Sequence, residues 1–180
     1  MPGDPKSPKR NAKDAFSAYA GIAVLSSDPA WISLSIAPEM RLKQVVADFF
    51  RSHLDDLEND LSDKLALALE ELLGNSIEHG SSAEAAFGIE VACVRTARLV
   101  LFHIRDAGSG FSLESVPHAA VNNPPEEPLR HTKYRSQKGM RPGGFGIMLV
   151  KQIADELLYN EHGNEVILIK YLDTPITERC

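Results

Sequence analysis

Three groups of residues in this chain have types and spacings that could do chemistry. In the first, Glu71, Asn75 and the pair His79-Gly80 recur at intervals of four residues. On a helix that spacing stacks the carboxylate and the carboxamide on one face. An amide oxygen is a hard ligand suited to Mg²⁺, which keeps several waters and takes few protein ligands. A carboxylate one turn away can accept a proton from an attacking hydroxyl or water. The second group, Asp106-x-Gly108-x-Gly110, follows the apolar run from Leu99 to Arg105. Its acceptor-only carboxylate emerges where a strand ends, and there it suits an amino group such as the exocyclic amine of adenine. The third, Gly143-Gly144-Phe145-Gly146-Ile147-x-Leu149-Val150, feeds glycines into a helix start, whose free N–H groups bind phosphate readily. It is not a Walker A loop, because no Gly-Lys-Ser/Thr follows. Each group alone has a plainer reading, as a solvated helix face, a glycine turn or a loop. In this order they describe a pocket for Mg-ATP, since phosphoryl transfer needs a bridging metal, donors for developing charge and a group to orient the nucleophile.

The elements that must position these residues follow from hydrophobic periodicity. Trp31, Ser33 and Ser35 alternate with Ile32, Leu34 and Ile36, the pattern of a strand with one buried face. Leu42, Val45, Val46, Phe49, Phe50 and Leu54 recur at helical spacing. A second helix buries Leu61, Leu65, Leu69 and Leu72, presents Glu71, Asn75 and Glu78 on another face, and ends near Gly80. Gly74 within it signals either close approach of a ligand or tight packing on the sheet. Residues 87–94 and 98–105 predict two strands joined around Thr96-Ala97, residues 145–158 a helix, and residues 165–171 a last strand. The stretch 15–27 reads as a short helix or an extra strand.

Residues 112–142 lack periodicity and are too long for an ordinary connection, so they are expected to form a lid or a disordered loop. Their basic segment, His131 to Arg141 with Lys133, Arg135 and Lys138, could close over a triphosphate. The expected organisation is a flexible tail over 1–28, an ATPase domain over 29–174 containing that lid, and a tail over 175–180. The fold class is α+β: a two-layer sandwich with helices on one face of a mixed, largely antiparallel sheet.

At 180 residues, with 43% hydrophobic and 24% charged side chains, the chain can bury a real core. A net charge of -6 and a pI near 5.5 argue against a dedicated nucleic-acid binder. Cys93 and Cys180 lack the spacing of a zinc site or a disulfide framework. No signal peptide and no membrane anchor are expected, and the expected compartment is the cytoplasm.

On the residues Glu71 to Gly80, Asp106 to Gly110 and Gly143 to Val150, the chain resembles the GHKL ATPase superfamily, whose Bergerat-type fold is shared by histidine kinases, gyrase, Hsp90 and MutL. Within it, the runs LALALEELLGNSIEHG and GGFGIMLVKQIADELLYNEHGNEVILIKY look most like stand-alone anti-sigma factor serine kinases. The resemblance implies Asn75 on Mg²⁺, Glu71 as general base and Asp106 on adenine. It implies Gly108, Gly110, Gly144 and Gly146 shaping pocket and hinges, with His79, Lys138 and Phe145 as further nucleotide-binding candidates. It also implies ATP and Mg²⁺ as cofactors, a homodimer, and transfer of the γ-phosphate to a serine of an anti-anti-sigma STAS-domain protein, with a sigma factor as the other partner. No upstream helix with a phosphoacceptor histidine is expected, since the first long helix holds only His53. Two rivals stay open: a module that uses ATP only to set its shape, and a degenerate pocket serving as an interaction domain.

Overall fold

The computed structural model describes residues 11–58, 60–80, 88–110, 119–139 and 144–172. Helix α1 (Ala12–Phe16) is followed by strands β1 (Ile22–Asp28) and β2 (Trp31–Ile36), then helices α2 (Met40–His53) and α3 (Leu61–Asn75). A π-helical turn over Ser76–Gly80 extends α3, and strands β3 (Ile89–Arg95) and β4 (Leu99–Asp106) follow. Helix α4 (Arg130–Gln137), helix α5 (Gly146–Ile153), and strands β5 (Glu156–Tyr159) and β6 (Glu165–Tyr171) complete the order. The six strands lie in the order β1-β2-β3-β4-β6-β5. Every pairing is antiparallel, so the expected sandwich holds and its sheet needs no parallel strand.

The period-2 pattern decides which face is covered. Ile32, Leu34 and Ile36 of β2, Ile89, Val91 and Cys93 of β3, Val100, Phe102 and Ile104 of β4, and Val166 and Leu168 of β6 form one core with the helices. Helix α2 contributes Val46 and Phe50, and α3 contributes Leu65, Leu69, Leu72 and Leu73. Phe50 meets Phe102 edge-on at 5.3 Å, which locks α2 onto the centre of the sheet. The β3–β4 hairpin turns where expected, with the Thr96 hydroxyl accepting from the N–H groups of Arg98 and Leu99. Burial pushes the Cys93 thiol up to about 12, so it serves as an inert apolar side chain.

Three expectations change. The flexible tail over 1–28 is too long: residues 12–28 belong to the fold, and only 1–10 lie outside the described residues. Ala12 and Phe16 are buried, and the Phe16 ring packs 4.7 Å from that of Phe49. The stretch is both a helix and a strand, because its few apolar residues find partners on α2 and β2 that local periodicity does not reveal. The helix expected over 145–158 stops at Ile153. Asp155 accepts from Lys170 Nζ and the Tyr171 N–H, drawing residues 156–159 onto the edge of β6 as a strand. Within the expected lid, residues 119–139 carry a 3₁₀ turn (Ala120–Asn122) and helix α4; the remainder, like the tail over 175–180, lies outside the described residues.

Tight packing on the sheet does not explain Gly74. A Cβ there would meet only the Lys43 side chain, at 3.9 Å, an ordinary contact. Lys43 in turn pairs with Glu70 at 3.2 Å. Gly74→Ala is therefore expected to stabilise the fold by about 1 kcal/mol through helix propensity, read as a raised denaturation midpoint. A lowered midpoint would show that the site has no room.

Candidate functional site

The site forms where α3, the end of β4, the β5–β6 turn and the start of α5 converge. The apolar stripe of α3 faces the sheet, which leaves Glu71 and Asn75, one turn apart, on a half-buried flank beside it. The π-helical turn that follows is a local departure of a kind frequent at functional sites. It turns the Ser76 hydroxyl toward the Asp106 carboxylate, to which it donates.

Asp106 is buried at the last position of β4. Its Oδ1 accepts from the Gly108 N–H at 2.9 Å, which closes the glycine turn on the carboxylate. Burial raises the Asp106 pKa above its ordinary value, while the Gly108 N–H and the Ser76 hydroxyl act in the opposite direction. The carboxylate thus keeps acceptor capacity in a poorly hydrated place, the setting in which a hydrogen bond to a ligand's amine counts most.

Asp106, Asn75, Ser76, Ile104, Tyr159 and Asn164 line a small cavity of about 10 Å³. Asn75 Nδ2 is buried there without a hydrogen-bond partner. A buried amide without a partner is costly. Tyr159 forms part of the wall, its hydroxyl pushed up to about 12 by burial and so neutral.

Glu71 reaches across to the third motif. A Cβ on Gly146 would lie 2.3 Å from Glu71 Oε2, so a larger residue at this first position of α5 would displace the Glu71 carboxylate. The carboxylate therefore sits at the positive end of α5, where negative charge is favoured. The helix has no side-chain cap of its own. The second motif is equally tight: Gly110, at φ 73°, would bring a Cβ within 1.8 Å of the His162 carbonyl oxygen.

The structure thus gathers Asn75, Asp106 and Gly108 on one side and Glu71 with Gly146 on the other, bridged by the single turn of α3 between Glu71 and Asn75. Phe145, before Gly146, is 43% exposed and receives the ring of His131 edge-on at 4.5 Å. Gly144 O accepts from the Ala120 N–H, tying the loop to the 3₁₀ turn. Lys138 is exposed at the end of α4, its ammonium 6.0 Å from the Tyr134 ring centre, and does not line the cavity. His79 lies in the π-helical turn, with its side chain, like all of Gly143, outside the described residues.

Sequence reasoning missed three participants. Ser76 is one, although its place next to Asn75 is a usable signal. Asn164 is another, since only the fold brings it to Asp106. His131 is expected to begin a basic lid segment or a disordered loop, yet it is fully buried, with Asn123 Nδ2 donating to its Nδ1 at 2.5 Å. Burial, then the charge of Arg135, lowers its pKa, which keeps the ring neutral against Phe145.

An antiparallel sheet covered on one face, a polar helix flank and two glycine turns at one end of that sheet define an ATP-binding domain of a particular kind. The chain belongs to the histidine kinase-like ATPase domain family, whose model matches residues 35–170. ATP is the ligand that membership implies. The chain is also similar to the serine-protein kinase RsbW of Oceanobacillus iheyensis, at 25% identity over 109 residues. That match covers 60% of this chain and 64% of the relative, a little under two thirds of its length. No helix among the described residues is long and apolar enough to cross a membrane.

Proposed function

We propose that this protein is an ATP-dependent protein serine kinase of the anti-sigma type, transferring the γ-phosphate of ATP to a serine of an anti-anti-sigma STAS-domain partner in a partner-switching pathway. The observation that carries the reading is the juxtaposition of Glu71 with the first residue of α5, one helical turn from the unpartnered Asn75 amide. Family membership and the similarity to a serine-protein kinase support the same direction. The cytoplasm, a homodimer and a sigma factor as second partner belong to this proposal.

In this reading Asp106 accepts from the adenine amine, and the turn through Gly108 and Gly110 lets the base approach the backbone. The N–H groups at the start of α5 face the phosphates. Among the described residues no group of three or more His, Cys, Asp or Glu could hold a metal. The Asn75 carboxamide lines the cavity and offers one hard oxygen, the kind of donor Mg²⁺ takes alongside nucleotide phosphates. When bound, the ion would neutralise charge on the phosphate oxygens. Glu71 takes the proton from the incoming serine hydroxyl as its oxygen attacks the γ-phosphorus and the bond to the β-phosphate oxygen breaks. Lys138 and the basic face of α4 are placed to meet the triphosphate only in a lid position other than the one described.

A second reading rests on the same contact. Glu71 at the N-terminus of α5 also stabilises that helix, which suits a module that uses ATP to set its shape and captures a partner without phosphorylating it. Incubation with γ-labelled ATP and a cognate STAS protein separates the two. Label on a partner serine supports the kinase. A nucleotide-dependent complex that stays unlabelled supports the switch and removes the kinase reading.

A further inference from the structure

The second group of motif residues ends at Gly110, but the structure does not leave that turn to hold itself. Asn164, in the turn between β5 and β6, is bonded to it in three places. Its backbone carbonyl accepts from the Asp106 N–H at 3.0 Å, and its side-chain Nδ2 lies 3.2 Å from the Asp106 carbonyl oxygen and 3.3 Å from that of Gly108. One carboxamide thus bridges the two carbonyls that flank Ala107. On its other side Asn164 Oδ1 accepts from Asn160 Nδ2 at 2.8 Å. Asn160 is itself immobilised: its Oδ1 accepts from the N–H groups of Gly163 and Asn164, at 2.8 and 3.1 Å. These bonds fix both carboxamide orientations, because each oxygen and each nitrogen has a partner of the matching kind.

We infer that Asn164, held by Asn160, is a positioning residue for the base-binding carboxylate: the pair is an amide clamp that fixes the Asp106–Gly108 turn and so sets affinity for the adenine end of the nucleotide. The Asp106 carboxylate can present a free lone pair to an amine only if the turn that supplies its Gly108 N–H stays closed. On the β3 side the turn is held by the Ala107 N–H donating to the Gly88 carbonyl at 3.2 Å, and on the β6 side Asn164 holds it. The adjoining wall adds a steric stop, with the Gly110 Cα pressed against the His162 carbonyl on the same β5–β6 turn. The carboxamide of Asn164 also lines the cavity beside Asp106, so its removal opens space where the ligand's base edge would rest. None of the clamp's hydrogen bonds goes to Glu71 or to the start of α5, so its removal is aimed at the base end of the site.

This inference rests on the proposed nucleotide pocket, and its test keeps the two apart. Binding of ATP and of inorganic tripolyphosphate would be measured on wild type, Asn164→Ala and Asn160→Ala, with thermal midpoints recorded. The clamp predicts that Asn164→Ala weakens ATP binding about tenfold, the scale of one charge-assisted hydrogen bond, and leaves tripolyphosphate affinity unchanged. Asn160→Ala should give a smaller loss of the same kind. In the free protein, hydrogen exchange at the Gly108 amide should quicken in both variants, a readout independent of any ligand. If Asn164→Ala does not fold, Asn160→Ala carries the same comparison. Equal ATP affinity in wild type and variants, or equal losses of ATP and tripolyphosphate, would overturn the clamp alone. Wild type that binds neither ligand would overturn the pocket and the clamp with it.

Discussion

Replacing Glu71 by alanine is expected to lower phosphoryl transfer to the STAS partner by about 10²- to 10⁴-fold, the usual worth of a general base, while ATP binding persists. The separation is expected because Glu71 touches the start of α5 and lines no part of the cavity around Asp106. The isosteric Glu71→Gln sharpens the test. It keeps the volume that presses on Gly146 but removes the basic oxygen. Loss of transfer in both variants, with ATP affinity retained, fits a base. Loss in the alanine variant alone would reassign Glu71 to supporting α5, and undiminished transfer in both would remove it from the chemistry.

The second large effect is expected at Asp106. In Asp106→Asn the side-chain oxygen can still accept from the Gly108 N–H, so the new amide nitrogen faces the place where a ligand's amine would donate. Donor then meets donor, and ATP affinity should fall by roughly 1.5–3 kcal/mol, about 10- to 100-fold in Kd. Stability should move the other way. Burial raises the Asp106 pKa in the folded chain, so through that window the folded state binds more protons than the unfolded one. Stability therefore falls as pH rises through the window, and the ionised group's penalty is present above it. The neutral asparagine escapes it, so the variant should melt no lower than wild type at pH 7 while losing ATP. The same shift predicts that wild-type ATP binding weakens on acidification at a higher pH than an ordinary aspartate would dictate. A variant that melts lower but binds ATP normally would contradict both halves of the argument.

How far the site could be read from the chain depends on whether the signal is local. The helical spacing of Glu71 and Asn75 and the strand leading to Asp106 are properties of short segments, and the structure keeps all three where periodicity puts them. What brings them together is strand pairing, which no short segment encodes. Asn164 reaches Asp106 across 58 residues because β4 pairs with β6, and the turn just before β6 then falls on the Asp106–Gly110 turn. Residues 156–159 were hidden for another reason: a short apolar run has neither the length to be a helix nor the alternation to be a distinct strand. His131 shows the reverse error. Its basic neighbours Arg130, Lys133 and Arg135 suggest a solvated segment, yet one ring on the inner face of α4 is buried against Phe145. The flexible tail expected over 1–28 likewise hides α1, which is fixed only when Phe16 finds Phe49.

The central claim is that these residues form one magnesium-dependent ATP site, and calorimetric titration with ATP, with and without Mg²⁺, on wild type and Asn75→Ala tests it most directly. Asn75 carries the amide oxygen proposed to hold the ion, so the two conditions should differ in wild type and converge in the variant. The account predicts tight binding that depends on Mg²⁺ and a marked loss of that dependence in Asn75→Ala. Binding indifferent to Mg²⁺ and to the substitution, or no binding at all, would contradict it and leave the fold as a surface for partners without a nucleotide at its centre.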